Sequence, residues 1–284
     1  MTPTYQIENG PSAVPVAEYS NAIEWKFRDL RDSKPSEQQV QDFLERNPAL
    51  VPGARTPGSP SGHAPIHNVL IAQPKLPGLR SKIPDFMWIA THSEAWYPTL
   101  IEIERPDKKI FKSRVVPRAE FTEAHNQFAQ WRSWFSKPEN TQVLIREYGV
   151  PEEIIRFRSM KLHMILVYGR RSEFENEPVI SMQRSALFAG VDEQLMSYDR
   201  LRVDHCLGDA ITVRALGSGQ YEAVAIPPTF TLGPRFAERL SRISMLEAAI
   251  QLAEIAAARK EFLTRRLSYW RDWGGTKTNE RHMW

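Results

Sequence analysis

Three acids in two short segments carry the chemistry this sequence could do. In Leu100-Ile101-Glu102-Ile103-Glu104 acidic and apolar residues alternate, and on an extended chain that alternation sends Glu102 and Glu104 to one face and Ile101 and Ile103 to the other. Pro84-Asp85 opens the preceding apolar segment. If the two segments pair as neighbouring strands, Asp85 reaches the same patch. Carboxylates gathered around one point repel, which raises at least one pKa unless a cation neutralises the charge. Oxygen-only ligands favour a hard divalent ion, Mg2+ or Mn2+, whose job is to activate a water and to offset the charge that builds on a phosphate. Phosphodiester hydrolysis is the reaction class that such a site serves.

The elements that must hold these acids are read from periodicity. Ile83 to Ala90 and Thr99 to Arg105 have the composition of strands. Ahead of them, Ser36 stands at an N-cap position, and Val40, Phe43 and Leu44 form the apolar stripe of a short helix that Asn47-Pro48 stops. Behind them, Phe121, Ala124, Phe128, Trp131 and Phe135 recur at helical spacing between Arg118 and Phe135, with Gln127 at the border of the stripe. Met164 to Tyr168 is a short continuous apolar run, closed by Gly169-Arg170-Arg171, and fits a strand covered on both faces. Strand, strand, helix, strand is an α/β order.

The remaining chain divides around this core. Residues 1–35 read as an N-terminal arm and 36–233 as the domain that holds the acids. Pro48 to Pro84 is crowded with Pro and Gly and is expected to be a long surface loop. His63 and His67 lie in it four apart, but Pro65 between them opposes the helix that would make them joint metal ligands. Ala210 to Leu216 and Tyr221 to Ile226 flank Gly217-Ser218-Gly219-Gln220, the pattern of a β-hairpin. Residues 234–284 are expected to form a long helix, with Ile243, Leu246, Ile250, Ala253 and Ala257 as a stripe suited to a partner chain. Near its end Arg265, Arg266, Tyr269, Trp270, Arg271 and Trp273 mix cations and aromatics, as partner-binding or single-strand-binding surfaces do.

Composition narrows the classes. The chain has 284 residues, one cysteine and a formal net charge of +3. One cysteine, Cys206, excludes an intrachain disulfide framework, so the cytoplasm is the default compartment. No run approaches the roughly 20 apolar residues of a membrane span. The mild positive charge is compatible with a nucleic-acid partner but does not argue for one.

Pro84-Asp85 followed by Glu102-Ile103-Glu104 resembles the PD-(D/E)xK nuclease signature. The wider set resembles the Shedu family over roughly residues 36 to 235: the helix Glu37 to Glu45 ending in Asn47-Pro48, Ile101 to Pro106, the helix bearing Gln127, Val167-Tyr168-Gly169-Arg170, and Ser197-Tyr198-Asp199-Arg200-Leu201. That resemblance implies a restriction-endonuclease-like PD-(D/E)xK core, a central mixed sheet flanked by helices, carrying here a C-terminal β-hairpin and long helix. It implies a Mg2+-dependent DNA endonuclease of prokaryotic defence against invading DNA, working as a homo-oligomer, dimer or tetramer. By position, Asp85 and Glu102 match the metal-binding acids, Gln127 the glutamine of the following helix, and Glu37 the helix acid that completes the metal shell. Glu104 departs from the pattern, which usually has Lys there. The missing cation must then come from the metal or from Arg105, Lys108 or Lys109, while Arg170 and Arg171 are expected to hold the nucleic-acid backbone. Two alternatives stand beside this reading: a catalytically silent module for DNA binding or assembly, and an RNA-directed nuclease.

Overall fold

The computed structural model describes residues 5–55, 65–79, 83–113, 116–188 and 190–281. Two helices come first: α1 (Val16–Asp32) and α2 (Glu37–Arg46). α2 begins where the sequence puts it. Ser36 accepts the N–H of Gln39 at 3.2 Å and the Gln39 side chain accepts the N–H of Ser36 at 2.8 Å, a reciprocal cap. α1 lies inside the expected arm and buries Tyr19, Ile23 and Phe27.

The central sheet follows with β1 (Val69–Ala72), β2 (Phe86–Thr91) and β3 (Ala95–Ile103). β4 (Phe111–Ser113) and β5 (Val116–Pro117) form a small separate ladder before α3 (Ala119–Phe135), α4 (Pro138–Glu147) and α5 (Glu152–Phe157). β6 (Ser159–Met160), β7 (His163–Val167), α6 (Pro178–Leu187) and β8 (Glu193–Met196) complete the middle of the chain. The C-terminal part contributes β9 (Ile211–Gly217), β10 (Gln220–Ala225), α7 (Pro234–Ala237), β11 (Ile243–Ser244), α8 (Leu246–Leu252) and α9 (Ala257–Arg281).

Among the described residues the main sheet runs β11-β10-β9-β1-β2-β3-β7-β8, with β6 paired to β3. It is mixed: β2 is antiparallel to β1 and β3, whereas β3, β7 and β8 run parallel to one another. Its middle strands are buried on both faces, which is why they read as continuous apolar runs. Phe86, Trp88, Ile101, Ile103, Ile165 and Val167 face the layer of α1 and α2. Met87, Ile89, Leu100, Met164 and Leu166 face α3, α4, α8 and α9.

Two expectations change. The stretch Pro48 to Pro84 is not a loop throughout. Val69-Leu70-Ile71-Ala72 is a fully buried strand, antiparallel to β2 and parallel to β9, and its four residues are too few to show a period amid Pro and Gly. His63 lies outside the described residues; the ring of His67 is half-buried and meets the Gly149 carbonyl at 3.1 Å. The second change is beyond Pro234, where the single helix is broken into α7, β11, α8 and α9. Met245 holds a left-handed conformation between β11 and α8, and Ala253 leaves α8 in an extended one. The apolar stripe exists, but Ile243, Leu246 and Ile250 are spent on the chain's own core.

Candidate functional site

The site is set by strand register. β2 and β3 are paired through Phe86↔Ile101, so one step further Asp85 falls opposite Glu102, where antiparallel partners share a face. Asp85 anchors there, because its Oδ2 accepts the backbone N–H of Ile103 at 2.8 Å. Glu102 sits between Ile101 and Ile103 and takes the opposite face from them, as alternation requires, against α3. Gln127 projects from α3 and its Nε2 donates to Glu102 Oε1 at 2.7 Å. The other carboxylate oxygen, Oε2, is buried and has no hydrogen-bond donor.

Glu104 follows the end of β3, its N–H donating to the Val167 carbonyl. Its carboxylate is paired with the Nζ of Lys108, one turn of loop further on. Glu37, in the first turn of α2, closes the group from the opposite layer. Arg105 pairs instead with Asp107, its Nε 2.9 Å from Oδ1, and Lys109 is exposed.

Electrostatics show how close these groups are. Burial pushes the Asp85 carboxyl up to about 7; the Ile103 N–H opposes that rise, and the charges of Glu37 and Glu104 add to it. Burial likewise holds Glu102 well above the carboxylate range, with Asp85 the next cause. Glu37 is raised by burial and then by Glu104. Without a neutralising charge, this cluster keeps protons that ordinary carboxyls lose. Among the described residues, no group of three or more His, Cys, Asp or Glu is disposed to hold a metal ion as it stands. The donor chemistry nonetheless suits one: a half-buried carboxylate, Asp85, beside a buried one, Glu102, with an oxygen that nothing satisfies.

The structure therefore brings together Asp85, Glu102, Glu104, Glu37, Gln127 and Lys108. Arg170 and Arg171 lie on the adjoining turn after β7. Gly169 is needed in that turn, because its φ is +61° and a Cβ there would stand 2.7 Å from the Lys108 carbonyl oxygen. Arg170 is engaged by Asp199 and Asp32, and Arg171 gives its backbone N–H to Asp199. His125 stacks on Phe188 with ring centroids 4.4 Å apart.

Sequence reasoning gave no role to two tyrosines. Tyr198 is fully buried and donates its hydroxyl to the Glu104 carbonyl at 2.5 Å. Tyr168 follows β7, is buried, and its hydroxyl has no partner although Glu104 lies near enough to raise its pKa. Both stand in segments that carry the Shedu resemblance, and that is the signal that could have found them.

No helix among the described residues is long and apolar enough to cross a membrane. No curated protein matches the chain. The family model described as Shedu protein SduA, C-terminal, matches residues 34–202, a span that runs from just before α2 to just past Tyr198 and holds every residue of the acidic cluster. It covers more than half of the chain, and the chain belongs to the Shedu SduA C-terminal family.

Proposed function

We propose that this chain is a Mg2+-dependent or Mn2+-dependent DNA endonuclease of a prokaryotic defence system, cutting phosphodiester bonds at Asp85, Glu102 and Glu104 within a restriction-endonuclease-like core. Shedu SduA domains are generally nucleases, which supports the reaction class. The observation that carries the residue assignment is Glu102: a buried carboxylate with one oxygen held by Gln127, the other without a donor, and Asp85 beside it.

A divalent cation at this point supplies charge neutralisation and acidifies water. Asp85 and Glu102 would hold it, with Glu104 and Glu37 as further oxygen donors. Gln127 fixes the orientation of Glu102. Tyr198 fixes the backbone of Glu104. The Glu104 departure is answered by Lys108, whose ammonium rests on the Glu104 carboxylate and so returns a positive charge to the place where the common pattern has Lys. There it can offset charge growing on the phosphate. Burial strengthens each of these interactions.

Supercoiled plasmid incubated with purified protein and Mg2+ should be nicked or cut, and Glu102→Ala should lower the rate by about 100-fold or more. Equal rates for wild type and Glu102→Ala would remove the assignment.

A second reading, a catalytically silent module for DNA binding or assembly, draws on the ion pair that occupies Glu104 and on the absence of a ready three-acid ligand set among the described residues. Titration calorimetry with Mn2+ separates the two. Binding that vanishes in Asp85→Asn and Glu102→Gln favours the enzyme; absence of binding favours the module.

A further inference from the structure

Outside the acidic cluster, arginines concentrate in one cleft. Arg28 and Arg31 of α1, Arg170 and Arg171 after β7, and Arg202 line a cavity of about 370 Å³. Three acids, Glu24, Glu175 and Asp199, share the lining, so the arginines outnumber them. Such an excess in a concave space attracts anions.

The acids brace the arginines without exhausting them. Arg170 places Nε 3.1 Å from Asp199 and Nη1 2.7 Å from Asp32. Arg31 places Nη1 3.1 Å from Asp199 and Nε 3.2 Å from Asp32. A guanidinium has five N–H donors, and among the described residues Nη2 of each meets no acceptor. Arg28 and Arg171 are exposed and, among the described residues, their side chains have no acidic partner. Two guanidinium forks are therefore held rigid while two others stand unengaged, an arrangement suited to the oxygens of a phosphate.

The cleft adjoins the acidic cluster. Tyr198, next to Asp199 in sequence, donates to the Glu104 carbonyl, and its ring lies 6.2 Å from that of Phe27, which lines the cleft. The turn that carries Arg170 and Arg171 rests on the Lys108 carbonyl at Gly169.

We propose that the cleft grips a phosphate of the nucleic-acid backbone next to the acidic cluster, with Arg28 and Arg171 as direct contacts and Arg31 and Arg170 as pre-set forks. The inference rests on the nucleic-acid reading above and deepens it. The expectation for Arg170 is thereby refined, since its first task is to hold Asp199 and Asp32.

The test uses the whole chain, a short fluorescein-labelled DNA duplex and EDTA, so that cleavage plays no part. Binding is measured over a series of salt concentrations for wild type and for Arg28→Gln/Arg171→Gln. The double variant should bind roughly tenfold more weakly, and the slope of log K against log salt should be shallower by about 1 to 2, because each phosphate that is no longer neutralised releases one counterion fewer. An unchanged thermal midpoint shows that the fold is intact, as expected for two exposed side chains. Equal affinity and equal slope would overturn the proposal. So would ATP binding that falls in the double variant while duplex binding does not, because the cleft would then belong to a free nucleotide. The nuclease reading fails separately, by lack of cleavage with Mg2+, and duplex binding dependent on Arg28 and Arg171 would survive that failure.

Discussion

Glu104 is the residue at which this chain breaks with the pattern it otherwise resembles, and Lys108, paired with it, is the compensation proposed above. The two are four apart, and their ion pair is partly buried, where a salt bridge is screened less than at the surface. Lys108→Ala should therefore lower plasmid cleavage by about 10- to 100-fold, within the range for loss of one electrostatic stabiliser, whereas Arg105→Ala should change the rate little because Arg105 is committed to Asp107. Cleavage rates for the two variants, compared at one Mg2+ concentration, check this. A drop for Arg105 and none for Lys108 would reverse their roles. At this scale strand alternation, a local rule, was enough to put Glu102 on the face opposite Ile101 and Ile103. It could not show that the Ile103 N–H anchors Asp85 or that Tyr198 reaches the Glu104 carbonyl. Those contacts join residues 18 and 94 apart, and no local period records them.

Elements explain how the acids keep their places. α2 presents Glu37 from its first turn, and its start is fixed by the reciprocal bonds of Ser36 and Gln39. Ser36→Ala should cost about 1 kcal/mol of stability, read as a lower urea midpoint at constant slope. If the start of α2 then frays, Glu37 loosens and Mn2+ affinity falls with it. A Ser36→Ala protein of wild-type stability would mean that packing of Val40 and Leu44 alone sets the helix start. This cap was legible, as was α3, whose predicted stripe is buried throughout. The failures have physical causes too. β1 has only four residues and owes its burial to strands on either side. Between Pro234 and α9, three- and four-residue apolar steps fit one long helix as well as they fit a strand followed by a short helix. The left-handed Met245 decides between them, and no sequence rule predicted it.

The whole molecule stores part of its stability in uncharged imidazoles. His163 on β7 is 5 % exposed, and burial lowers its pKa to about 4; His67 is lowered to about 4 by the same cause. A group whose folded pKa lies below its unfolded value of about 6.5 takes up protons preferentially in the unfolded chain. Its contribution is complete above that value and is lost as pH falls towards 4. Asp85, raised to about 7, acts in the opposite sense in metal-free protein, so the comparison must be made as a difference. Unfolding midpoints measured at matched pH values in EDTA should fall further for wild type than for His163→Phe as pH drops from 7 to 4. A constant gap would show that His163 is not titrating. The segment before α1 is also joined to α9: Glu8 pairs with Arg265 and Arg266, and Tyr5 packs on Trp270 and Trp273. The cations and aromatics near the end of α9 are thus largely engaged by the chain's own N-terminal segment.

The position of β1 in mid-sheet limits how the polypeptide can be divided. Its parallel neighbour β9 starts at Ile211, beyond the last residue of the matched family segment, 34–202. A fragment cut to those limits would expose one side of Val69-Leu70-Ile71-Ala72, an apolar edge with unpaired amides and no charge or proline within the strand to discourage association. Expressed alone, 34–202 should sediment as aggregate, while the whole chain, which keeps β9 beside β1 and the helices over both faces, stays in the supernatant. Recovery of the short fragment as a stable soluble monomer would mean that the homologous segment is a self-sufficient folding unit after all.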